Sequence, residues 1–342
     1  MKYSSSILFY PVNRALEQAI LDSRDLLTAE QSESLFPDRS AAVADNFLFT
    51  RGNFEQHRYS SAVFENLRDA LQASLTDELR ANDPMVWAET QNRLGNILGG
   101  LAQKQNDVEQ YAKAADCFTL ALEVYSQENT PHEWAETQVN LGTALQAQGR
   151  LESDAKLLNK SVDAFTASLL VYTKKDTPEA WKLVMIQQGL SMHNHGLLLK
   201  GNRTFQKSVV AYKNAISELD ADNHPFELAA AHNNCGAVLH NLAESEENPD
   251  RFEEAIRSYE KGWTVCMEQQ LPVHLSVLCR INKSTARGVL AELTNDAALA
   301  DDVADELEVI LECFPHALQP LCAMHCKELM EKMRAKVETI RG

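Results

Sequence analysis

The sequence predicts an all-α chain, an α-solenoid of stacked helix-turn-helix hairpins. Three observations predict it. Five prolines, Pro84, Pro131, Pro178, Pro225 and Pro272, each stand 47 residues after the last. With 10 prolines in 342 positions, that is roughly a one-in-a-million coincidence before correcting for the choice of period. Glycine and proline are sparse, 13 and 10, too few turn residues for a large β protein. Other slots keep the same step. Three residues after the proline stand Trp87, Trp134, Trp181, Leu228 and Leu275, and eleven after it Gly95, Gly142, Gly189 and Gly236, then Lys283. An aromatic slot reads Phe118, Phe165, Tyr212 and Tyr259, and another slot reads Tyr111, Leu158, Phe205, Phe252 and Leu299.

Residues 1–36 are predicted as a helical extension, with a helix over 8–27. Residues 37–83 read as a degenerate unit: Pro37 lies 47 before Pro84, Ala41 aligns with Ala88, and Ala62 to Leu75 is its second helix. Residues 84–319 hold five full units. In each, the proline presets the start of a first helix. In the second unit Trp134, Leu141 and Leu145 then mark one apolar face. The second helices are expected to start near Asp107, Thr204 and Asn248. Asn248-Pro249 pairs a cap residue with proline at the first helical position, and Asp107 with Gln110 fits a capping box. Glycine inside a helix costs about 1 kcal/mol relative to alanine. Its recurrence predicts a partner helix too close for a Cβ, and Lys283 predicts a looser or reoriented pair in the fifth unit. Residues 320–342 read as a lone capping helix, with Cys322 in the tryptophan slot, Met333 in the Leu98 slot and a basic outer face. No linker marks a domain boundary.

The runs Gln91-x-x-Leu94-Gly95-x-x-Leu98 and Ala114-x-x-x-Phe118-x-x-Ala121, followed by Pro131, resemble the tetratricopeptide repeat. Pro131-x-x-Trp134-Ala135-x-x-Gln138-x-Asn140-Leu141-Gly142-x-Ala144-Leu145 is similar to its 47-residue bacterial variety. The resemblance runs from Pro84 to Phe314 and weakens in the fifth unit. It implies a right-handed solenoid whose first helices line a concave groove for a protein or peptide segment. Offsets from the Leu-Gly pair place Asn92 and Asn96, Asn140, Gln187, His193 and Asn194, Asn233, Asn234, His240 and Asn241, then Arg280 and Arg287 in that groove. Amides and imidazoles both donate and accept, which suits a peptide backbone; the same row also reads as ordinary solvated positions. The family's carboxylate clamp lacks its lysines here, since Asn92 and Leu183 stand at their places. Arg280 and Arg287 could hold a carboxylate or phosphate, or be plain surface arginines.

Other constellations favour structure over chemistry. His193 and His240 share a slot, near His195 and Glu244, but metal ligands must converge to about 2.0–2.2 Å and neighbouring helices lie about 8–10 Å apart. Cys313-x-x-His316 with Cys322-x-x-His325-Cys326 looks like a zinc or redox cluster, yet the repeat slots make these cysteines core positions. Segment 295–315 holds seven acids and no lysine or arginine, a solvated face or a docking patch for a basic partner. No phosphate loop, Gly-x-Ser-x-Gly or His-Glu-x-x-His stands in the sequence. The expectation is a protein that is not an enzyme and takes no cofactor or metal.

Composition sets the remaining bounds. Lysine plus arginine number 32 against 49 acids, a net charge of −17, which repels phosphate backbones and favours basic or neutral partners. Apolar runs such as Ser6 to Val12 are too short to span a bilayer. The N-terminus lacks a secretory pattern, and seven cysteines is an odd count, so a cytoplasmic protein with reduced thiols is expected. A homo-oligomer is compatible with all of this. The leading expectation is a binding adaptor or scaffold. The rivals are a regulator gated by a small molecule or signal peptide and, more weakly, a metalloprotein or enzyme.

Overall fold

A computed structural model describes residues 61–105, 107–315, 318 and 320–341. The helix expected over 8–27, Pro37, Ala41 and His316 lie outside the described residues. Among those described there are thirteen α-helices and no strand. They fall into two compact units that divide between Leu199 and Lys200. The division falls inside the third 47-residue repeat, where composition shows no linker. No described helix is long and apolar enough to cross a membrane.

The first unit holds α1 (Ser61–Ser74), α2 (Asp77–Asn82), α3 (Pro84–Gln105), α4 (Val108–Ala121), α5 (Pro131–Glu152), α6 (Ala155–Ser168) and α7 (Pro178–Leu199). From α3 onward successive helices pack together, and the long helices α3, α5 and α7 also touch in order. Phe64, Leu67 and Leu71 of α1 join Leu94, Ile97, Leu98 and Phe118 in one core. The second unit holds α8 (Asn202–Ile216), α9 (Pro225–Glu246), α10 (Pro249–Glu268), α11 (Val273–Thr294), α12 (Ala297–Cys313) and α13 (Pro320–Arg341). It repeats the pattern, with α9, α11 and α13 in contact along its long-helix side.

Four short helices start on a side-chain cap. The carboxylates of Asp107, Asp154 and Asp296 and the amide oxygen of Asn248 accept from the first-turn N–H groups. The capping box at Asp107 is half made: Gln110 N–H donates to Asp107 at 3.3 Å, but the Gln110 side-chain oxygen is buried without a partner among the described residues. The third short helix starts at Asn202, two residues before the expected Thr204. Gly201 is its N-cap and offers no side chain. The glycine expectation holds at three pairs. A Cβ on Gly95 would come within 2.6 Å of the Phe118 ring, on Gly142 within 2.9 Å of Phe165, and on Gly236 within 2.7 Å of Tyr259.

The fifth repeat departs from the 47-residue step. Before α5, α7 and α9 the chain makes one five-residue loop, closed end to end. Ser126 N–H donates to the Thr130 hydroxyl (3.0 Å), Thr173 N–H to that of Thr177 (2.8 Å), and the Asp220 carboxylate pairs with the His224 ring (3.1 Å). The corresponding ends before α11 are Met267 and Leu271, and Leu271 has no side-chain oxygen or nitrogen to close the loop. There α10 runs on to Glu268, Gln270 takes a left-handed φ of 52°, and Leu271 N–H bonds Cys266 O at 2.8 Å. That ending uses one residue more. Pro272 becomes the N-cap of α11 instead of its first residue, and α11 starts at Val273.

Everything after is displaced by one. The N-cap that followed Asn248 would stand at Asn295 on the 47-residue step, but is Asp296. The left-handed C-cap that followed Glu247 is Asn295. Phe252, Ala255 and Tyr259, fully buried in α10, are matched 48 residues on by Ala300, Val303 and Leu307, fully buried in α12. This corrects three expectations. Ser284, not Lys283, takes the glycine place; Cys322 leaves the tryptophan slot and is half-buried; Met333 corresponds to Ile97.

The basic side of α13 is not simply turned to solvent. Lys332 pairs with Glu292 at 2.6 Å, Arg334 with Glu308 at 2.8 Å and Arg341 with Asp301 at 2.9 Å, while Lys336 donates to the Asn295 side chain at 2.7 Å. Below them Leu329, Met333 and Val337 complete a core with Ile281, Val303 and Leu307.

Candidate functional site

In the first unit, the row predicted on the long helices is partly spent on holding those helices together. Asn140 Nδ2 on α5 donates to Asn92 Oδ1 on α3 at 3.1 Å. Between α5 and α7, Gln146 Nε2 donates to the Gln187 carbonyl at 3.2 Å and to Ser191 Oγ at 2.6 Å. Ser161 Oγ on α6 donates to the Gly142 carbonyl at 2.7 Å and lies 2.8 Å from Ser191 Oγ. The single Ser161 proton is thereby used, so Ser191 is the donor between the two hydroxyls. Each polar group in this relay has a partner, as a buried position demands.

Other members of the row keep unfilled capacity. Asn96 Oδ1 on α3 and Asn194 Nδ2 on α7 have no hydrogen-bond partner among the described residues, although Asn96 is 4 % and Asn194 6 % exposed. The side-chain oxygen of half-buried Gln187 is likewise unpartnered. An orphaned buried polar atom costs about 1–3 kcal/mol. His193 is fully buried, and burial pushes its imidazole down to about 3, so it is neutral at physiological pH. Burial also lowers His195, offset in part by Asp163.

In the second unit, Asn282 Nδ2 on α11 donates to Asn233 Oδ1 on α9 at 2.8 Å, and Asn233 Nδ2 donates to Asn234 Oδ1 at 3.3 Å. The Asn233 to Asn282 bond spans 49 residues where the Asn92 to Asn140 bond spans 48. It is the same bond with one residue inserted between its ends. His240 is buried edge-on to Phe252, ring centres 5.3 Å apart, with Nε2 at 3.5 Å from Glu244. Asn241 is buried beside it on α9.

The displacement decides what Arg280 and Arg287 do. One residue is about 100° of helix rotation. Arg280 and Arg287, expected in the row, hold a carboxylate that belongs to the chain itself, Glu306 on α12. Arg287 Nη1 lies 3.0 Å from Glu306, Lys283 Nζ 3.1 Å and Arg280 Nε 3.5 Å. Lys283 also reaches Glu260 at 3.0 Å, and Arg287 reaches Asp302 at 3.3 Å. Lys283 sits 5.0 Å and Arg280 5.8 Å from the centre of the Trp263 ring. Burial alone would raise the Glu306 carboxyl; Lys283, Arg280 and Arg287 outweigh it and hold the group below its ordinary range. Ser284, squeezed into the glycine place, is fully buried and its hydroxyl has no partner among the described residues.

Sequence reasoning missed Asn282, Ser191 and Ser161, and counted Glu306 only among the seven acids of 295–315. The broken loop ends Met267 and Leu271 were the signal that counting should restart. Among the described residues, no group of three or more His, Cys, Asp or Glu side chains is placed to hold a metal. Cys313, expected in the core, is exposed, because the displacement gives its place to Phe314; Cys326 is buried, its thiol pushed up to about 12 chiefly by burial. The acid run on α12 meets the chain's own basic residues: Asp301 and Glu308 those of α13, Asp302 and Glu306 those of α11. A separate cavity of about 540 Å³ opens in the first unit between α4, α5 and α6, with Leu141, Leu145 and Leu157 inside and Thr119, Lys160 and Asp163 around them. No protein-family model matches this chain, and no curated protein matches it closely enough to stand as a relative.

Proposed function

We propose that the chain is a cytoplasmic, non-enzymatic adaptor of the tetratricopeptide type, a right-handed solenoid whose long helices hold an extended protein or peptide segment. One observation carries the reading. Asn96 offers a buried acceptor and Asn194 a buried donor that have no partner among the described residues. Those are the two functions that the N–H and C=O groups of an extended segment satisfy. A chain that keeps orphaned amides loses stability in its free form. Retaining them makes sense if a partner fills them.

The reading is tested with Asn96→Leu and Asn194→Leu, which keep the branched outline of the side chain and remove the orphans. Each is expected to raise unfolding free energy by about 1 kcal/mol. Each should also abolish capture of the partners that the parent chain takes from its own cell extract. Unchanged capture, or a clear loss of stability, would overturn it. The cavity of about 540 Å³ favours a second reading, a regulator gated by a small molecule, because pockets for such ligands run to about 300–1,000 Å³. Thermal shift in a small-molecule extract, lost on Ala115→Phe, which fills the cavity that Ala115 lines, would support that reading instead.

A further inference from the structure

We propose that two copies of this chain pair through the second unit, α8 of each against α12 of the other. The proposal goes beyond the segment-binding reading and does not depend on it. In a chain of net charge −17, α8 carries Arg203, Lys207 and Lys213 and no acid. Arg203, Lys207 and Val210 stand at i, i+4 and i+7 and are all exposed, Val210 at 57 %. Lys213 is engaged by Glu254 at 2.6 Å, whereas Arg203 and Lys207 have no ion pair among the described residues.

The outward stripe of α12 is the counterpart. Asp302, Asp305, Val309 and Glu312 follow at steps of three and four and are all exposed, Val309 at 45 %. The basic residues of α13 take Asp301 and Glu308, leaving Asp305 and Glu312 without an ion pair among the described residues. Each stripe therefore sets an exposed valine among charges of one sign, and the signs are opposite. Between them in the chain, the exposed face of α10 carries both signs, Glu253 with Arg257 and Lys261.

A two-fold axis along α10 would lay α8 on the partner's α12 and α12 on the partner's α8, one contact made twice in a closed dimer. Three helices, each about 10 Å across and sharing a length of about 22 Å, offer on the order of 650 Å² per copy, near the low end for specific interfaces. The pairing is accordingly weak and salt-sensitive. At about 0.1 M salt the Debye length is about 10 Å, so the contacting stripes still attract while most of the remaining like charge is screened.

Sedimentation equilibrium of the full chain tests this, at about 0.1 M and about 0.5 M salt. The set comprises the parent, Arg203→Glu with Lys207→Glu, Asp305→Lys with Glu312→Lys, the quadruple variant, and a one-to-one mixture of the two double variants. All four positions are exposed, and circular dichroism checks folding. The parent is expected to dimerise at the lower salt and dissociate at the higher. Each double variant alone should lose at least tenfold in affinity. The mixture and the quadruple variant should recover it, because each then sets opposite charges face to face in both contacts. A parent that stays monomeric at the lower salt, double variants that pair as well as the parent, or a mixture that recovers nothing would each overturn the proposal.

Discussion

The start of a short helix and the start of the next long one stand 23 residues apart before α5, α7 and α9 but 24 before α11, and the consequence of that single residue reaches far along the chain. Each regular loop is closed on the side chain of its last residue: the Ser126 and Thr173 N–H groups donate to the Thr130 and Thr177 hydroxyls, and the Asp220 carboxylate pairs with the His224 ring. With Met267 and Leu271 at those places, the chain ends α10 on backbone bonds alone and takes the left-handed turn at Gln270. The extra residue turns the predicted faces of α11 by about 100°. Side chains counted onto the binding row become a cationic cradle for Glu306, and a serine is left where glycine belongs. A local choice of turn chemistry thus reassigns the partners of a whole helix pair.

The largest expected effect bears on the displaced core. Leu307→Ala should cost roughly 2–5 kcal/mol, close to the roughly 3–5 kcal/mol of Phe165→Ala, because both fill the place against a small residue of the preceding long helix. Chemical denaturation reads both. A Leu307→Ala cost below that of half-buried Leu299→Ala would restore the undisplaced count.

Next comes the cradle. Glu306→Gln leaves three cations around a neutral group and should cost roughly 3 kcal/mol. The sign with pH follows from the lowered carboxyl. Its contribution is complete above the ordinary carboxylate range and is lost as pH falls through the lower, folded value. The parent should therefore lose stability in that acid window, where the Gln variant stays flatter in denaturant midpoint.

Smaller effects separate the two kinds of loop. Thr130→Val and Thr177→Val should each cost about 1 kcal/mol by opening the loop closure. Leu271→Thr should change stability by no more than about 0.5 kcal/mol, since the turn it joins has no use for a hydroxyl. The smallest effect is expected at the α13 surface. Arg334→Ala and Arg341→Ala break pairs that are about half exposed, and each should cost no more than about 1 kcal/mol by thermal melting.

Much of the helical architecture was legible. Proline at the first helical position, glycine against an aromatic ring and a polar residue at the N-cap each leave one letter at one offset. The displacement was hidden because Pro272 stays on the 47-residue step while changing its job from first helical residue to N-cap. Ser284 and Leu307 are unremarkable letters, so nothing at the new positions announced the shift. The long-helix amides were visible as a row. Which of them bond each other was not, because Asn92 meets Asn140 only through helices packed a full repeat apart. The orphaned atoms of Asn96 and Asn194 are a property of packing, with no sequence signature.

The displacement itself can be read by cysteine pairing under mild oxidation with peptide mapping, in three double variants. Asn92→Cys with Asn140→Cys calibrates the regular contact. Asn233→Cys with Asn282→Cys should link as readily as that pair, and Asn233→Cys with Ile281→Cys, the pair demanded by an unbroken 47-residue step, should link poorly. Preferential linking of 233 to 281 would contradict the account.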